Sequence, residues 1–181
     1  MYEKTLSKKT VYKGRIFDVD VLEVELENGK RSLREIVRHG VAVAIIPRLP
    51  DGRFVFIRQF RKAMERTCFE VVAGNCDDGE KEAATAIREL QEETGFIADS
   101  IELIGPLFPS VGYCTERIDV FFAEVSGRGK TSFDDDERIE TVVLTGAEVD
   151  DMIANNQIAD AKTLAAWMLF KAKKAVGSKI S

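Results

Sequence analysis

The sequence predicts an α+β fold. Three observations carry this. Alternating or short apolar runs, the signature of strands, crowd the first 72 residues. Helical periods are confined to one central segment and to the C-terminal third. Strand-like and helix-like segments do not alternate regularly, which argues against a doubly wound parallel sheet.

Each element follows from local signals. Residues 16–27 (IFDVDVLEVELE) alternate, with one slip at Val21-Leu22 that a β-bulge would accommodate. Asn28-Gly29 is a strong hairpin signal and leads into a strand at Arg31–Arg38. Residues 1–40 therefore read as an N-terminal antiparallel β-hairpin element, followed by a main domain over 41–181. The runs VAVAIIP and RFVFIRQF are strands joined by a Pro50-Asp51-Gly52 turn. Phe69–Val72 is a short strand ending at Ala73-Gly74. Glu80–Thr94 has the helical period, and Gly95 supplies its C-terminal stop. Strands are expected near 98–105, 117–125 and 138–144, and helices over 147–155 and 161–176, with Asp160 capping the last. Trp167, Met168 and Phe170 on that helix are expected in the core or an interface.

Composition narrows the function classes. The 181 residues are 45% hydrophobic and 31% charged, as in ordinary soluble globular proteins. A net charge of -5 offers no basic surface for nucleic acid. The longest aliphatic run, Val41 to Ile46, is far too short for a membrane span. The first twenty residues lack the apolar stretch of a secretory signal. Cys68, Cys76 and Cys114 are an odd set without metal-ligand spacing, so reduced thiols in the cytoplasm are expected.

The chemistry concentrates in Gly74–Phe96 (GNCDDGEKEAATAIRELQEETGF). With Glu89 set at zero on a helical wheel, Glu93 lies about 40° to one side, Glu92 about 60° to the other and Glu82 about 20° away. Ala83, Ile87, Leu90 and Thr94 fall on a separate, apolar arc expected to anchor the helix. Like charges at this spacing destabilise a helix by about 0.2–0.5 kcal/mol per pair, and the dipole adds to the penalty near the C-terminal end. A solvated acidic face is the ordinary meaning of such a stripe. Hard oxygen ligands for Mg²⁺ or Mn²⁺ are the functional one.

The spacing decides between them. The segment matches G-x5-E-x7-R-E-U-x-E-E-x-G-U at every position, with U a bulky apolar residue. Seven fixed letters at usages of about 7% would coincide about once in 10⁸ starting points. The chain thus resembles the Nudix hydrolases. That resemblance implies a central mixed β-sheet sandwiched between helices, and hydrolysis of a nucleoside diphosphate linked to another moiety. Carried over by position, it makes Glu89 and Glu93 metal ligands, Glu92 a further ligand, and the Ala73 carbonyl another. Gly74 and Gly95 would serve backbone conformation, while Glu80 and Arg88 would be structural, with Arg88 holding the motif's acids. An acidic site on an acidic protein would repel a diphosphate, and bound Mg²⁺ would reverse the local field and activate a water.

The resemblance extends along nearly the whole chain and points to the ADP-ribose and nucleoside diphosphate sugar pyrophosphatase branch. FIRQFR (56–61), the FEVVAG entry (69–74) and the segment at 109–125 are similar to that branch, although the last has Pro109-Ser110 and Val111 out of the usual order. Ile158–Thr163 resembles the start of the last helix in relatives. Arg61, and less directly Arg58, are candidate phosphate clamps through the planar guanidinium fork. Glu116 and Glu70 are candidate substrate or metal-site residues, and Glu137 in the acidic loop a candidate late ligand or general base. Tyr12 and Phe17 read first as core, with base stacking as the alternative. His39 is expected to have a local structural role. Relatives form dimers through their N-terminal strands, so a homodimer is expected. The expected substrate is ADP-ribose or a nucleotide sugar. GDP-mannose, UDP-glucose, NADH and dinucleoside polyphosphates are alternatives, and a non-catalytic ligand-binding module is the rival from another class.

Overall fold

A computed structural model describes residues 2–129, 131 and 138–177. The chain forms two compact units, one made of residues up to Val41 with Phe108–Arg117, the other of Ala42–Leu107 with the residues after Arg117.

The first unit is a three-stranded antiparallel sheet in the order β1-β2-β3, with β1 at Glu3–Lys13, β2 at Asp18–Leu26 and β3 at Arg31–Arg38. The Asn28-Gly29 turn joins β2 to β3, with Gly29 at φ 76° and Lys30 N–H donating to the Asn28 side chain at 3.1 Å. The expected bulge at Val21-Leu22 is absent: β2 pairs with β3 without interruption. The irregularities fall in β1 instead, between Thr5 and Ser7 and between Thr10 and Tyr12. β1 is a strand that polar alternation alone did not reveal. It is tied to β2 by buried Asp20, which accepts from Thr10 at 2.7 Å and pairs with Lys8 and Arg38. These partners hold the Asp20 carboxyl far below the usual carboxylate range. Tyr12 and Phe17 are not core: both are exposed, with ring centroids 5.8 Å apart.

The second unit is a mixed sheet of seven strands with order β10-β5-β4-β9-β8. Its strands are β4 (Val41–Arg48), β5 (Phe54–Arg61), β6 (Arg66–Glu70), β7 (Val72–Asn75), β8 (Phe96–Leu107), β9 (Arg117–Arg128) and β10 (Ile139–Leu144). Its helices are α1 (Glu82–Thr94), α2 (Gly146–Ala154) and α3 (Ala161–Gly177). β4 is apolar from Val41 to Pro47 because both faces are covered. Ala42, Ala44 and Ile46 join Phe54, Phe56 and the α3 residues Trp167 and Phe170. Val43 and Ile45 face Ala86 and Leu90 of α1. Trp167 meets Phe54 edge-on at 4.9 Å and donates its indole N–H to Asp150 at 2.8 Å. Met168, by contrast, points outward. No described helix is long and apolar enough to cross a membrane.

The expected single strand at 69–72 is two strands. β6 pairs with the end of β5, then the chain crosses over and β7 pairs with Ala42–Ile45 of β4. At this crossover the Val71 amide leaves the ladder and donates to the Thr163 hydroxyl of α3 at 3.0 Å. The fork delivers Ala73 and Gly74 to the buried side of α1.

Candidate functional site

α1 starts two residues later than its period suggested, because Glu80 is turned aside. Its carboxylate accepts from the Asp77 amide at 3.3 Å and from Arg88 at 3.2 and 3.0 Å. The helix stops at Gly95, at φ 73°, whose amide closes on Gln91 at 2.8 Å. The buried arc also differs from the wheel. Ala83 and Ile87 are exposed, and the inward residues are Thr85, Ala86, Leu90, Glu93 and Thr94. One of the acids thus lies on the anchoring face, and Glu93 is only 5% exposed.

Glu93 accepts from the Ala73 amide at 3.3 Å. Glu89 lies over Gly74, where an added Cβ would overlap its carboxyl group. Gly74 is therefore a close-approach glycine rather than a left-handed one. Arg88 reaches Glu89 at 2.7 Å, Glu92 at 2.9 Å and the Asn75 carbonyl at 3.3 Å, besides Glu80. One guanidinium offsets three carboxylates, which relieves the like-charge repulsion at Glu89 and Glu92. Arg88, with the Thr85 hydroxyl, lowers the Glu80 pKa to about 2. Among the described residues, no three acidic, histidine or cysteine side chains close up into a ready ligand cluster. Arg88 holds Glu89 and Glu92, and the Ala73 amide holds Glu93. The donors here are all oxygen, which suits a hard divalent cation.

A second set borders this one. Arg61, ending β5, grips Glu70 through Nε and Nη2, both at 2.7 Å. Glu70 is 2% exposed and also meets Lys162, which pairs with Asp160 at 2.9 Å. Burial works to raise the Glu70 pKa, but Arg61 and Lys162 outweigh it and hold the group below its usual value. Glu93 adds to the field that raises the Arg61 pKa, after Glu70 itself. Asp160 caps α3, accepting from the Thr163 amide at 3.0 Å and hydroxyl at 2.6 Å.

Arg58 lies over the Phe69 ring at 5.2 Å and pairs with Glu140 at 3.1 Å. Glu116 belongs to the first unit, 3.8 Å from His39, whose amide and carbonyl both bond the Thr115 hydroxyl at 3.0 Å. Glu137, with Asp134, Asp135 and Asp136, lies outside the described residues. Lys162 had not been singled out. Its signal was a lysine in the first turn of a helix, where the dipole disfavours a cation.

Residues 38–167 match the NUDIX domain. The chain belongs to the NUDIX family. Residues 3–37 of this NUDIX protein match the nucleoside diphosphate sugar hydrolase N-terminal domain. It is 38% identical to an ADP-ribose pyrophosphatase of Bacillus subtilis (strain 168), covering 96% of this chain and 95% of the relative. A methanol dehydrogenase activator of Bacillus methanolicus is 34% identical, covering 98% and 97%. A GDP-mannose pyrophosphatase of Yersinia enterocolitica is 31% identical, covering 88% and 87%. Among solved structures, an ADP compounds hydrolase superposes with a TM-score of 0.86 at 25% identity, covering 95% and 94%. That neighbour confirms the expected NUDIX fold.

Proposed function

We propose that this NUDIX protein is a pyrophosphohydrolase that cleaves the diphosphate of ADP-ribose or a nucleoside diphosphate sugar, releasing a nucleoside monophosphate and a sugar phosphate. The observation that carries this reading is Glu89, Glu93 and the Ala73-Gly74 stretch of β7 gathered at one end of α1, beside the Arg61–Glu70 pair. Glu89, Glu92, Glu93 and the Ala73 carbonyl would hold Mg²⁺, with Mn²⁺ an equivalent oxygen-seeking ion. The cation supplies charge neutralisation of the diphosphate and a more acidic bound water. Arg88 holds Glu89 and Glu92 in place until the cation shares them. Arg61 offers a planar fork for a phosphate, and Glu70 fixes its orientation. Glu116, Arg58 and Glu137 remain candidates for substrate contact or proton transfer.

The same reading includes a homodimer in the cytoplasm. β1 is exposed along its length, and Tyr2, Val11, Tyr12, Ile16 and Phe17 lie uncovered on the first unit. Such a strand edge and apolar surface suit a second copy. Three unpaired thiols suit a reducing compartment.

The test is a panel of ADP-ribose, GDP-mannose, UDP-glucose, NADH and diadenosine polyphosphates with Mg²⁺, products identified, and a chelated control. Turnover of ADP-ribose or a nucleotide sugar that vanishes on chelation is expected. Metal-independent turnover, or none on any diphosphate, overturns the reading.

A further inference from the structure

Two cations meet the Glu70 carboxylate, and one of them, Lys162, is shared with Asp160. A single buried negative charge is compensated by one well-placed partner, and the Arg61 fork already supplies two hydrogen bonds of 2.7 Å. Lys162 nevertheless reaches the same carboxylate from α3, 92 residues away in sequence, in a helical turn whose dipole disfavours it. The two cations differ in access. The Lys162 side chain is 15% exposed, whereas that of Arg61 is 42% exposed. The enclosed cation can keep the carboxylate company while the exposed one turns outward. Without Lys162, an outward turn of Arg61 would strand a charge that is 2% exposed, a strongly unfavourable state. Asp160 and Thr163 fix Lys162 for this task, since Asp160 binds the lysine and also caps its helix.

We propose that Lys162 is a positioning residue: it keeps buried Glu70 compensated, which allows the Arg61 fork to leave Glu70 and take a phosphate group of the substrate. This rests on the pyrophosphohydrolase reading, which supplies the anion. Lys162 itself does not touch the substrate.

The experiment compares Lys162→Met and Lys162→Arg, each alone and combined with Arg61→Ala. Three quantities are read: the Kd for inorganic pyrophosphate by calorimetry in buffer with saturating Mg²⁺, kcat and KM for ADP-ribose with Mg²⁺, and Tm. Lys162→Met is expected to weaken pyrophosphate about tenfold, equivalent to about 1.4 kcal/mol. KM should rise by a similar factor while kcat stays within about threefold. Lys162→Arg should recover most of the affinity. In the Arg61→Ala background, Lys162→Met should change the pyrophosphate Kd no further, because its effect passes through Arg61. Additive losses would mean direct contact or a general charge effect and would overturn the proposal. So would wild-type affinity in Lys162→Met, no pyrophosphate binding by the wild type, or a loss that tracks Tm and is not recovered by Lys162→Arg. If the wild type hydrolyses nothing but Lys162→Met still weakens pyrophosphate through Arg61, the activity reading falls and the Lys162 assignment stands. If hydrolysis is normal and Lys162→Met binds like the wild type, only the Lys162 assignment falls.

Discussion

Gly74→Ala is expected to separate activity from stability. Gly74 pairs with Val43 in the sheet, and its φ is not in the left-handed region, so an alanine fits the backbone. The conflict is with Glu89. The new Cβ would stand 2.5 Å from Glu89 Oε2, with the rest of the carboxyl group nearer still, whereas real Cβ atoms essentially never come within 3.0 Å of a neighbour. The Glu89 carboxyl group, whose Cδ is the nearest atom, must therefore retreat by at least about 1 Å. It is the far end of a flexible side chain, and its hydrogen bond to Arg88 is worth on the order of 1 kcal/mol for a partly exposed charged pair. Replacing a strand glycine by alanine returns about 0.4–1 kcal/mol through the unfolded chain. The two nearly cancel, so Tm should hardly move. Displacing a ligand of the reacting centre by about 1 Å costs on the order of 10²-fold in rate. The assay is release of AMP from ADP-ribose with Mg²⁺, beside thermal unfolding. A kcat within twofold of wild type would refute the role given to Glu89. A collapsed Tm would refute the claim that Glu89 alone yields.

Glu93→Gln should lower kcat by at least about 10²-fold with circular dichroism unchanged, and near-normal turnover would remove Glu93 from the ligand set. Arg88→Met should lower Tm in a pH-dependent way. Glu80 has a depressed folded pKa of about 2, so its stabilisation is present above its ordinary pKa near 4.5 and fades as the pH falls towards 2. The Tm deficit of the variant should therefore be largest near neutrality and shrink at a pH of about 3. An equal deficit at both would contradict the Arg88–Glu80 account. Trp167→Ala should cost about 3–5 kcal/mol in denaturant unfolding, because it empties the aromatic centre between α3 and β5. A loss under about 1 kcal/mol would show that the core is not organised around it.

Much of the fold was legible because its signals are local. The Asn28-Gly29 and Pro50-Asp51-Gly52 turns, the Gly95 stop and the Asp160 cap are each decided within a few residues. β1 was not legible, since its eleven residues are exposed throughout and carry no buried alternation. The split at Val71 was hidden because an apolar run looks the same whether it pairs with one strand or two. On α1 the wheel placed the acids together and put Leu90 and Thr94 inward, as found, but it also turned Ala83 and Ile87 inward, and these are exposed. It could not know that the sheet approaches from the side of Ala86 and Glu93.

The sequence alone determined the spacing of the acids on α1, since helical geometry converts residue intervals into angles without help from the rest of the chain. It likewise determined that a glycine precedes the acids. The tertiary structure decided what that glycine is for, because Glu89 comes to lie over Gly74 only when the β6–β7 crossover brings strand and helix together. It also decided which cations meet Glu70. Arg61 and Lys162 converge from β5 and α3, and no local rule relates residues whose proximity is created by the path of the chain.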